Sequence, residues 1–486
     1  MYIYNNPIPP MPIQSNPTVQ RRVEHSALRH RMLTGQWLQD LLDEISQHIP
    51  ESRQAAWGVP DMSSNIFKAT SEALCGLYVE APTIAVQETQ QNQTDGLLGR
   101  NGLINEAGLW PLMQRVQFFT IGMRECFIRV DITDDQQGLL YRIVTPDMVD
   151  AESSSGDPSR PHRIKELRLR YDEEIKEFEW TVDLLDISDP KNPKYQVFTV
   201  KQNGDYDKDV SQKYLKSNLS GENYPYRDSN GTPYLPYSLY HAEIHGSLFD
   251  PYQNREVVAG ALNASVLYSF FLHLTRDCSH PQRYLMGATL AGMDMYDNNL
   301  ASRRNAIASD PASILIFTPD PDLQSGQQPQ IGQYQPGGDV EKMLESITVY
   351  ERRLATYAGI NPADVQKMSG DPRSGYAIAV SRSSLREAQR KYAPSFRQGD
   401  IQTLEISAKL ANKFLGGSYP ETGYRVEYHA IPLSPQEQKE QRENILSLLE
   451  AKLISKVDAI KILHPDLDDL DAKRMLLRIQ QDNLDF

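Results

Sequence analysis

Residues Asn361–Gly416 read NPADVQKMSGDPRSGYAIAVSRSSLREAQRKYAPSFRQGDIQTLEISAKLANKFLG, a polar and charged segment that leads directly into one long helical pattern. The apolar residues of the pattern recur at helical spacing, namely Ile378, Leu385, Ala388, Tyr392, Phe396, Ile401, Leu404, Leu410 and Phe414. Pro394 lies inside the pattern. Because proline lacks the amide hydrogen and its ring clashes with the preceding turn, we expect a kink or a break there. The stretch therefore predicts a loop followed by one long, kinked helix.

A basic stripe lies on another face of this predicted helix. Arg382, Arg386 and Arg390 follow one another at intervals of four residues, so they line up on the helix surface. Such a stripe is typical of a solvated face that pairs with acids on a neighbouring subunit. Contact with DNA phosphates is the second interpretation, and the residues alone leave both open.

A charge-free helix is predicted upstream. From Val257 to Leu274 the sequence VVAGALNASVLYSFFLHL has no charged residue, and its length meets the lower limit for crossing a bilayer. Ser265, Ser269 and His273 recur at i, i+4 and i+8, so a polar stripe runs along the helix. The segment is either a membrane span or, as we favour, a helix packed on several sides.

A second helix begins with Asp339 as its N-cap and ends near Gly359. Between the two helices, the apolar runs Pro281–Gly287 and Ile314–Phe317 predict short strands. The segment Gln324–Gly338 has the composition of a flexible linker. The two helices therefore bracket a small insert that we expect to project from the main body.

The first half of the chain predicts a mixture of helices and antiparallel strands. Helical spacing favours helices at Leu33–Ile49, Ser64–Tyr78 and Leu109–Gly122. Alternating polar and apolar residues predict half-buried strands at Glu125–Ile132, Leu139–Val144, Ile164–Tyr171, Phe178–Leu185 and Tyr195–Val200. The polar segment Gln87–Asn101 and the Tyr- and Pro-rich segment Tyr206–Tyr240 predict loops. The fold class is therefore α+β.

The two ends of the chain differ in composition. Five prolines within the first 17 residues favour an extended arm over residues 1–32, either disordered or lying along a neighbouring subunit. Near the other end, Tyr424–Ala430 alternates as a strand. Ser434 and Pro435 then open a helix, and Ser455 with Asp458 forms a capping box for the next one. A last short helix is predicted at Leu470–Ile479.

Length and composition exclude several classes of protein. A chain of 486 residues is too long for one ordinary core, so several domains are expected. The formal net charge of −14 argues against a protein that coats DNA by neutralising phosphates, although an acidic channel wall would let DNA slide. Cys75, Cys126 and Cys278 lie far apart, so neither a disulfide framework nor a CxxC site is available.

Motifs for enzyme chemistry are missing from the sequence. It contains no GxxxxGK[ST], GxSxG, HExxH or GxGxxG string. His241 and His245 could bind a metal ion on a helix, but their segment predicts a strand or loop. We therefore expect no enzyme activity, no cofactor and no metal. A DNA-processing hydrolase, with acids that spacing alone does not align, stays an alternative.

The order of these elements resembles that of the portal proteins of tailed bacteriophages. Ser369-Gly370 followed by Ser374-Gly375-Tyr376-Ala377 is similar to the signature that opens the long helix of many portals. Gly359-Ile360-Asn361-Pro362 is similar to the turn that ends their second stem helix, although Asn361 intervenes here. The resemblance implies a multi-domain portal fold. In chain order, its parts would be an extended arm at 1–32, a strand-rich wing at 33–250, a first stem helix at 251–278 and a small α/β clip at 279–338. These would be followed by a second stem helix at 339–359, a tunnel loop at 360–374, a long kinked wing helix with a strand at 375–433 and a helical crown at 434–486.

The resemblance also implies partners and sites. The chain would form a cyclic ring, usually of about twelve subunits, through which double-stranded DNA passes during packaging and ejection. Its other partners would be the large subunit of the terminase, the major capsid protein and a head-completion adaptor. Its location would be the portal vertex of the virion, after assembly in the host cytoplasm. The residues implied to face DNA are Gln366, Lys367, Met368 and Arg373, and those implied to dock partners are Arg283, Arg303 and Arg304. A membrane-anchored assembly factor that uses residues 257–274 is the alternative from another class.

Overall fold

A computed structural model describes residues 9, 11, 17–49, 60–87, 94–133, 135–154, 156–173, 176–218, 223–250, 255–279, 282–286, 288–290, 317–319, 330–334, 339–360, 383–431, 435–463 and 469–482. The chain divides into two compact units. The first consists of Met1–Asp40, Asn65–Ala261 and Glu351–Phe486, and the second of Leu41–Ser64 and Leu262–Tyr350. Helices and antiparallel sheets together confirm the α+β class.

The described N-terminal part is helical. Helix α1 spans Pro17–Thr34 and helix α2 spans Leu38–His48. The prediction of an extended arm over residues 1–32 is therefore wrong from Pro17 onward, because proline is tolerated in the first turn of a helix and tertiary contacts hold the rest. Arg22 on α1 donates to the carbonyl of Pro146 (3.1 Å). Gly35, at φ +81°, interrupts the single helix predicted over Leu33–Ile49, since glycine adopts left-handed backbone without strain.

Four helices follow, α3 (Ile66–Ala73), α4 (Asp95–Leu98), α5 (Leu103–Glu106) and α6 (Leu109–Met123). The helices predicted at Ser64–Tyr78 and Leu109–Gly122 are confirmed in position. Asn65 caps α3 by accepting from the amide of Lys68 (3.0 Å). The loop predicted at Gln87–Asn101 is wrong at α4, whose four residues form a single turn too short for periodicity to reveal.

A three-stranded antiparallel sheet has β2 (Glu125–Ile132) between β3 (Leu139–Val144) and β9 (Tyr237–His241). The predictions for β2 and β3 are confirmed. The prediction of a loop reaching Tyr240 is wrong at β9, which pairs with β2 along its length. Tyr237 and Tyr240 are aromatic strand residues that bury their rings, so a tyrosine-rich composition concealed a core strand.

A five-stranded antiparallel sheet follows the chain order β4-β5-β6-β7-β8. Its strands are β4 (Val149–Ser154), β5 (Asp157–Asp172), β6 (Glu177–Asp186), β7 (Lys194–Val200) and β8 (Tyr206–Asp209), and a 3-10 turn at Pro146–Met148 precedes β4. The three predicted strands in this region are confirmed and extended. The predicted loop Tyr206–Tyr240 is also wrong at β8 and at helix α7 (Ser211–Asn218). Leu167 and Val182 form the centre of the core on one face of this sheet.

Two long helices bracket the insert, as predicted: α8 (Arg255–Ser279) and α9 (Val340–Tyr357). Between them, β10 (Gln282–Met286) pairs with β13 (Gln330–Tyr334), and β11 (Ala288–Leu290) pairs with β12 (Phe317–Pro319). The two pairs are nested antiparallel ladders. The linker predicted at Gln324–Gly338 is wrong at β13, because pairing with a distant strand overrides its polar composition. Asp339 accepts from the amide of Lys342 (3.1 Å), which confirms the predicted N-cap.

Helix α10 spans Ser383–Phe414 in 32 residues, which is about 48 Å of helix. It runs through Pro394 without a break, so the expected break is absent and the kink stays a prediction. Strand β14 (Tyr424–Glu427) pairs with β1 (Thr83–Val86). The chain continues through α11 (Pro435–Glu450), α12 (Lys456–Leu463) and α13 (Asp469–Asp482). The predicted capping box is confirmed, since Asp458 N–H donates to Ser455 Oγ (3.1 Å) and Ser455 N–H to Asp458 Oδ2 (3.0 Å).

Candidate functional site

Most of the predicted site residues lie outside the described residues: Gln366, Lys367, Met368, Arg373, Arg382, Arg303 and Arg304. Three of them lie within the described part. Arg283 is in β10, opposite Gln333 of β13, and belongs to the second compact unit. Arg386 and Arg390 lie one turn apart on α10, where Arg390 is exposed and Arg386 is half-buried. These two are the predicted residues that the structure brings together.

The long helix α10 covers the edge of the three-stranded sheet. Strand β9 lies at that edge, where backbone amide and carbonyl groups lack a further strand. The side-chain amide of Gln402 accepts from the Leu239 N–H (3.2 Å) and donates to the carbonyl of Tyr237 (3.3 Å). Ser395 Oγ donates to the carbonyl of His241 (2.7 Å). Side chains of α10 therefore complete the edge of β9 in place of a fourth strand.

A buried carboxylate lies at the centre of this contact. Asp400 of α10 is 2% exposed and accepts from three tyrosine hydroxyls. Tyr78 lies 2.9 Å from Oδ1, Tyr240 lies 3.0 Å from Oδ1, and Tyr428 lies 2.6 Å from Oδ2. Burial raises the pKa of Asp400 to about 7, although the three hydrogen bonds act in the opposite direction. The carboxyl group thus joins α10 to three separate parts of the first compact unit.

Close approach of Tyr240 to the helix depends on the residue before Asp400. A Cβ atom at Gly399 would lie 2.6 Å from two ring carbons of Tyr240. That separation is far shorter than an ordinary carbon–carbon contact. The ring also packs against Phe396, with centroids 5.8 Å apart, and its hydroxyl hydrogen-bonds to Thr403 Oγ1 (2.6 Å). Glycine at this position therefore lets the tyrosine ring lie against the helix backbone.

We call the polar side chains along this side of α10 the polar seam, and they are Ser395, Asp400, Gln402, Thr403 and Ser407. Its last two members have partners of their own. Thr403 donates to Ser238 Oγ on β9 (2.7 Å), and Ser407 shares a hydrogen bond with the hydroxyl of Tyr141 on β3 (2.9 Å). The seam therefore reaches both outer strands of the three-stranded sheet.

A cleft of about 520 Å³ lies beside the end of α9 and the first half of α10. Arg124 ion-pairs there with Asp250 (2.8 Å) and with Glu243 (3.1 Å), and Lys391 of α10 also contacts Glu243 (2.9 Å). Arg124 has φ +77°, a left-handed conformation that is costly for a residue with a Cβ atom. The ion pairs hold this strained residue at the junction of α6 and β2. They also tie α10 to the loop that follows β9.

A second buried charge cluster lies between the two larger sheets. Arg129 of β2 is 2% exposed and ion-pairs with Asp131 (2.9 Å), Glu166 (3.0 Å) and Asp183 (2.6 Å). Glu166 and Asp183 belong to β5 and β6, so the guanidinium joins the three-stranded sheet to the five-stranded one. Tyr237 also donates to Glu166 Oε2 (2.6 Å). The cluster fixes the sheet on which α10 lies.

The chemistry available in this region is that of buried polar contacts. Burial raises the pKa of the Cys126 thiol, which keeps it protonated and unreactive at neutral pH. The rings of His241 and His245 lie 4.6 Å apart, and burial lowers the pKa of His241 to about 4. Among the described residues, no group of three or more His, Cys, Asp or Glu side chains is placed to hold a metal ion. The arrangement holds a helix in a fixed place.

Sequence reasoning missed the polar seam. The apolar stripe of α10 was predicted through Phe396 and Leu404, and both are fully buried. Asp400 lies four residues from each of them, on the same face of the helix. An acid in the middle of an apolar stripe therefore indicates, from the sequence alone, a buried polar contact at Asp400. Its tyrosine partners could not be predicted, because two of them come from parts of the chain 322 and 160 residues away.

Comparisons with known proteins give matches to solved structures. No protein family model and no curated protein matches the chain. One matching chain, from "Neck of empty GTA particle computed with C6 symmetry", has 10% identity and TM-score 0.41 over 84% of this chain and 91% of that one. Another, from "Virion of native gene transfer agent (GTA) particle", has 10% identity and TM-score 0.36 over 82% and 88%.

Proposed function

We propose that the protein is a portal protein, one subunit of a ring of about twelve copies that forms the DNA channel at a single capsid vertex. The observation that supports the proposal is the order of elements after the sheets. Helix α8, two nested strand pairs, helix α9, residues 361–382 and the 32-residue helix α10 follow one another. This is the order of stem, clip, stem, tunnel loop and wing helix that the sequence resemblance implies.

Each element has a role in this proposal. The nested strands β10–β13 form the clip that docks the terminase large subunit and later the head-completion adaptor, with Arg283 as the described candidate contact. The sheets and α10 form the wing, which faces the major capsid protein. Residues 360–374 form the tunnel loop, and Lys367 and Arg373 make transient contacts with DNA phosphates. The protein then acts in the virion, after assembly in the host cytoplasm, without catalysis of its own.

Helix α8 belongs to the protein interior in this proposal. By length and composition, Arg255–Arg276 could cross a membrane, and it is the one such helix among the described residues. Its polar stripe has protein partners, however. Ser265 Oγ donates to the carbonyl of Ser64 (2.7 Å), and Ser269 Oγ accepts from the amide of Asp61 (3.2 Å). Both serines are fully buried, which favours a packed helix over a membrane anchor.

Imaging and mass measurement test the proposal. Twelve copies of the 55.2 kDa chain give roughly 660 kDa for a closed ring. Negative-stain images of the purified protein should show rings with a central hole, and light scattering should give that mass in the absence of detergent. Arg390 is exposed on α10, and in this proposal it pairs with an acid of the next subunit. Arg390→Glu should therefore weaken the ring.

Two other outcomes would replace the proposal. A monomer that co-sediments with lipid vesicles through residues 257–274 would support the membrane-anchored assembly factor. A monomer that cleaves plasmid DNA in a magnesium-dependent reaction would support the hydrolase. A stable monomer with neither property would also contradict the portal function.

A further inference from the structure

A single carboxyl group lies at the centre of the contact between α10 and the sheet. Asp400 accepts hydrogen bonds from Tyr78, Tyr240 and Tyr428, which come from the segment after α3, from β9 and from the segment after β14. Three hydroxyl donors are enough to satisfy an ionised carboxylate, yet hydroxyl groups carry no charge to balance it. Ionisation of Asp400 therefore places a net negative charge in a closed part of the core.

In the described part of the chain, no cation balances that charge. Among the described residues, no lysine, arginine or histidine forms an ion pair with Asp400. The titratable groups that face it are the three tyrosine hydroxyls, and burial raises the pKa of Tyr78 and Tyr240, so both stay neutral. Arg397 lies about one turn before Asp400 on α10. Its positive charge opposes the rise in the pKa of Tyr428, and its Nε donates to the carbonyl of Val426 (2.9 Å).

We propose that Asp400 and its three tyrosines form a proton-linked latch, which holds α10 tightly on the sheet when the carboxyl group is protonated and loosens when it ionises. The proposal is independent of the portal function, since it concerns one helix within one chain. The protonated group can donate its own proton to a tyrosine oxygen. Tyr240 can then turn its hydroxyl proton toward Thr403, which lies 2.6 Å away. Every member of the cluster keeps a partner in that state.

The pH dependence of the α10 contact follows from the direction in which the fold shifts the pKa of Asp400. The pKa of Asp400 is raised from 3.8 in the unfolded chain to about 7 in the fold. Its contribution to stability is therefore fully present below about pH 4 and is lost as the pH rises through about 7. Between about pH 5 and pH 8, linkage with these two values predicts a rise of about a hundredfold in the equilibrium constant for opening of the α10 contact.

Hydrogen exchange of α10 and β9 in the full chain tests the latch. After correction for intrinsic exchange, the opening constant of the native protein should rise about a hundredfold from about pH 5 to pH 8. Asp400→Asn, which keeps an acceptor and never ionises, should remove that rise. A carboxyl infrared band of protonated Asp400 should be present at pH 5 and should be missing from the Asn variant.

A second variant keeps the proposal testable if Asp400→Asn does not fold. Tyr428→Phe removes the shortest donor to the ionised form, so the midpoint of the pH dependence should move to higher pH. Equal pH dependence in native protein and Asp400→Asn would overturn the latch. So would a contact that tightens with rising pH, or an unchanged midpoint in Tyr428→Phe.

Discussion

The side chain of Gln402 allows a sharp test of how α10 covers the edge of β9. It accepts from one backbone amide of the strand at 3.2 Å and donates to one carbonyl at 3.3 Å. Gln402→Leu keeps the size of the side chain and removes both bonds. A net contribution of about 1 kcal/mol per half-buried hydrogen bond gives a loss of about 2 kcal/mol. That loss corresponds to roughly a thirtyfold increase in the opening of β9.

Gln402→Glu separates the hydrogen bonds from mere packing. At about pH 8 the carboxylate still accepts from Leu239 N–H, but it has no proton for the carbonyl of Tyr237 and repels it. We expect a loss of about 2 kcal/mol or more in that state. At about pH 4.5 the carboxyl group gains a proton, becomes a donor and an acceptor like the amide, and should recover most of the loss.

Hydrogen exchange of the peptide that contains β9 is the measurement. Gln398→Leu is the matched control, because Gln398 is exposed on the same helix and should leave β9 exchange unchanged. The reasoning is refuted if Gln402→Leu and Gln398→Leu exchange alike. It is refuted as well if Gln402→Glu shows no recovery at acidic pH relative to Gln402→Leu.

Two further changes probe the supports of this contact. Arg129→Met removes the cation that the buried carboxylates of Glu166 and Asp183 share with the half-buried Asp131, so urea unfolding should show a loss of about 3–5 kcal/mol. Arg160→Met, on an exposed side chain, should show almost none. Gly399→Ala places a methyl group 2.6 Å from the ring of Tyr240, so it should cost about 1–3 kcal/mol by overpacking, against a gain of about 1 kcal/mol in helix propensity. A stabilised Gly399→Ala variant would show that the ring moves aside freely.

The elements that the sequence predicts well are those with strong local patterns. Strands β2 and β3 were predicted to the residue, because polar and apolar residues alternate and turn residues flank them. Helices α6, α8 and α9 follow from helical spacing over 15 residues or more. The five-stranded sheet was predicted through its three central strands, and its short edge strands were missed.

The elements that the sequence predicts poorly depend on distant partners. Strand β9 is five residues long, follows Pro236 and lies in a segment with loop composition. Its strand conformation is set by pairing with β2, over a hundred residues earlier, and by the side chains of α10. Helix α1 was missed for a related reason, since prolines before residue 17 suggested an extended chain and Arg22 is held by a carbonyl 124 residues away.

The polar seam explains why α10 has one position on the sheet. Apolar packing tolerates small shifts and substitutions of similar volume, so it fixes the axial position of a helix weakly. Short hydrogen bonds do not tolerate such shifts. A slip of one residue would move each seam side chain about 1.5 Å along the helix and about 100° around it, which would break the contacts of Ser395, Asp400 and Gln402 together. The described part of α10, Ser383–Phe414, is therefore held in one register against β9.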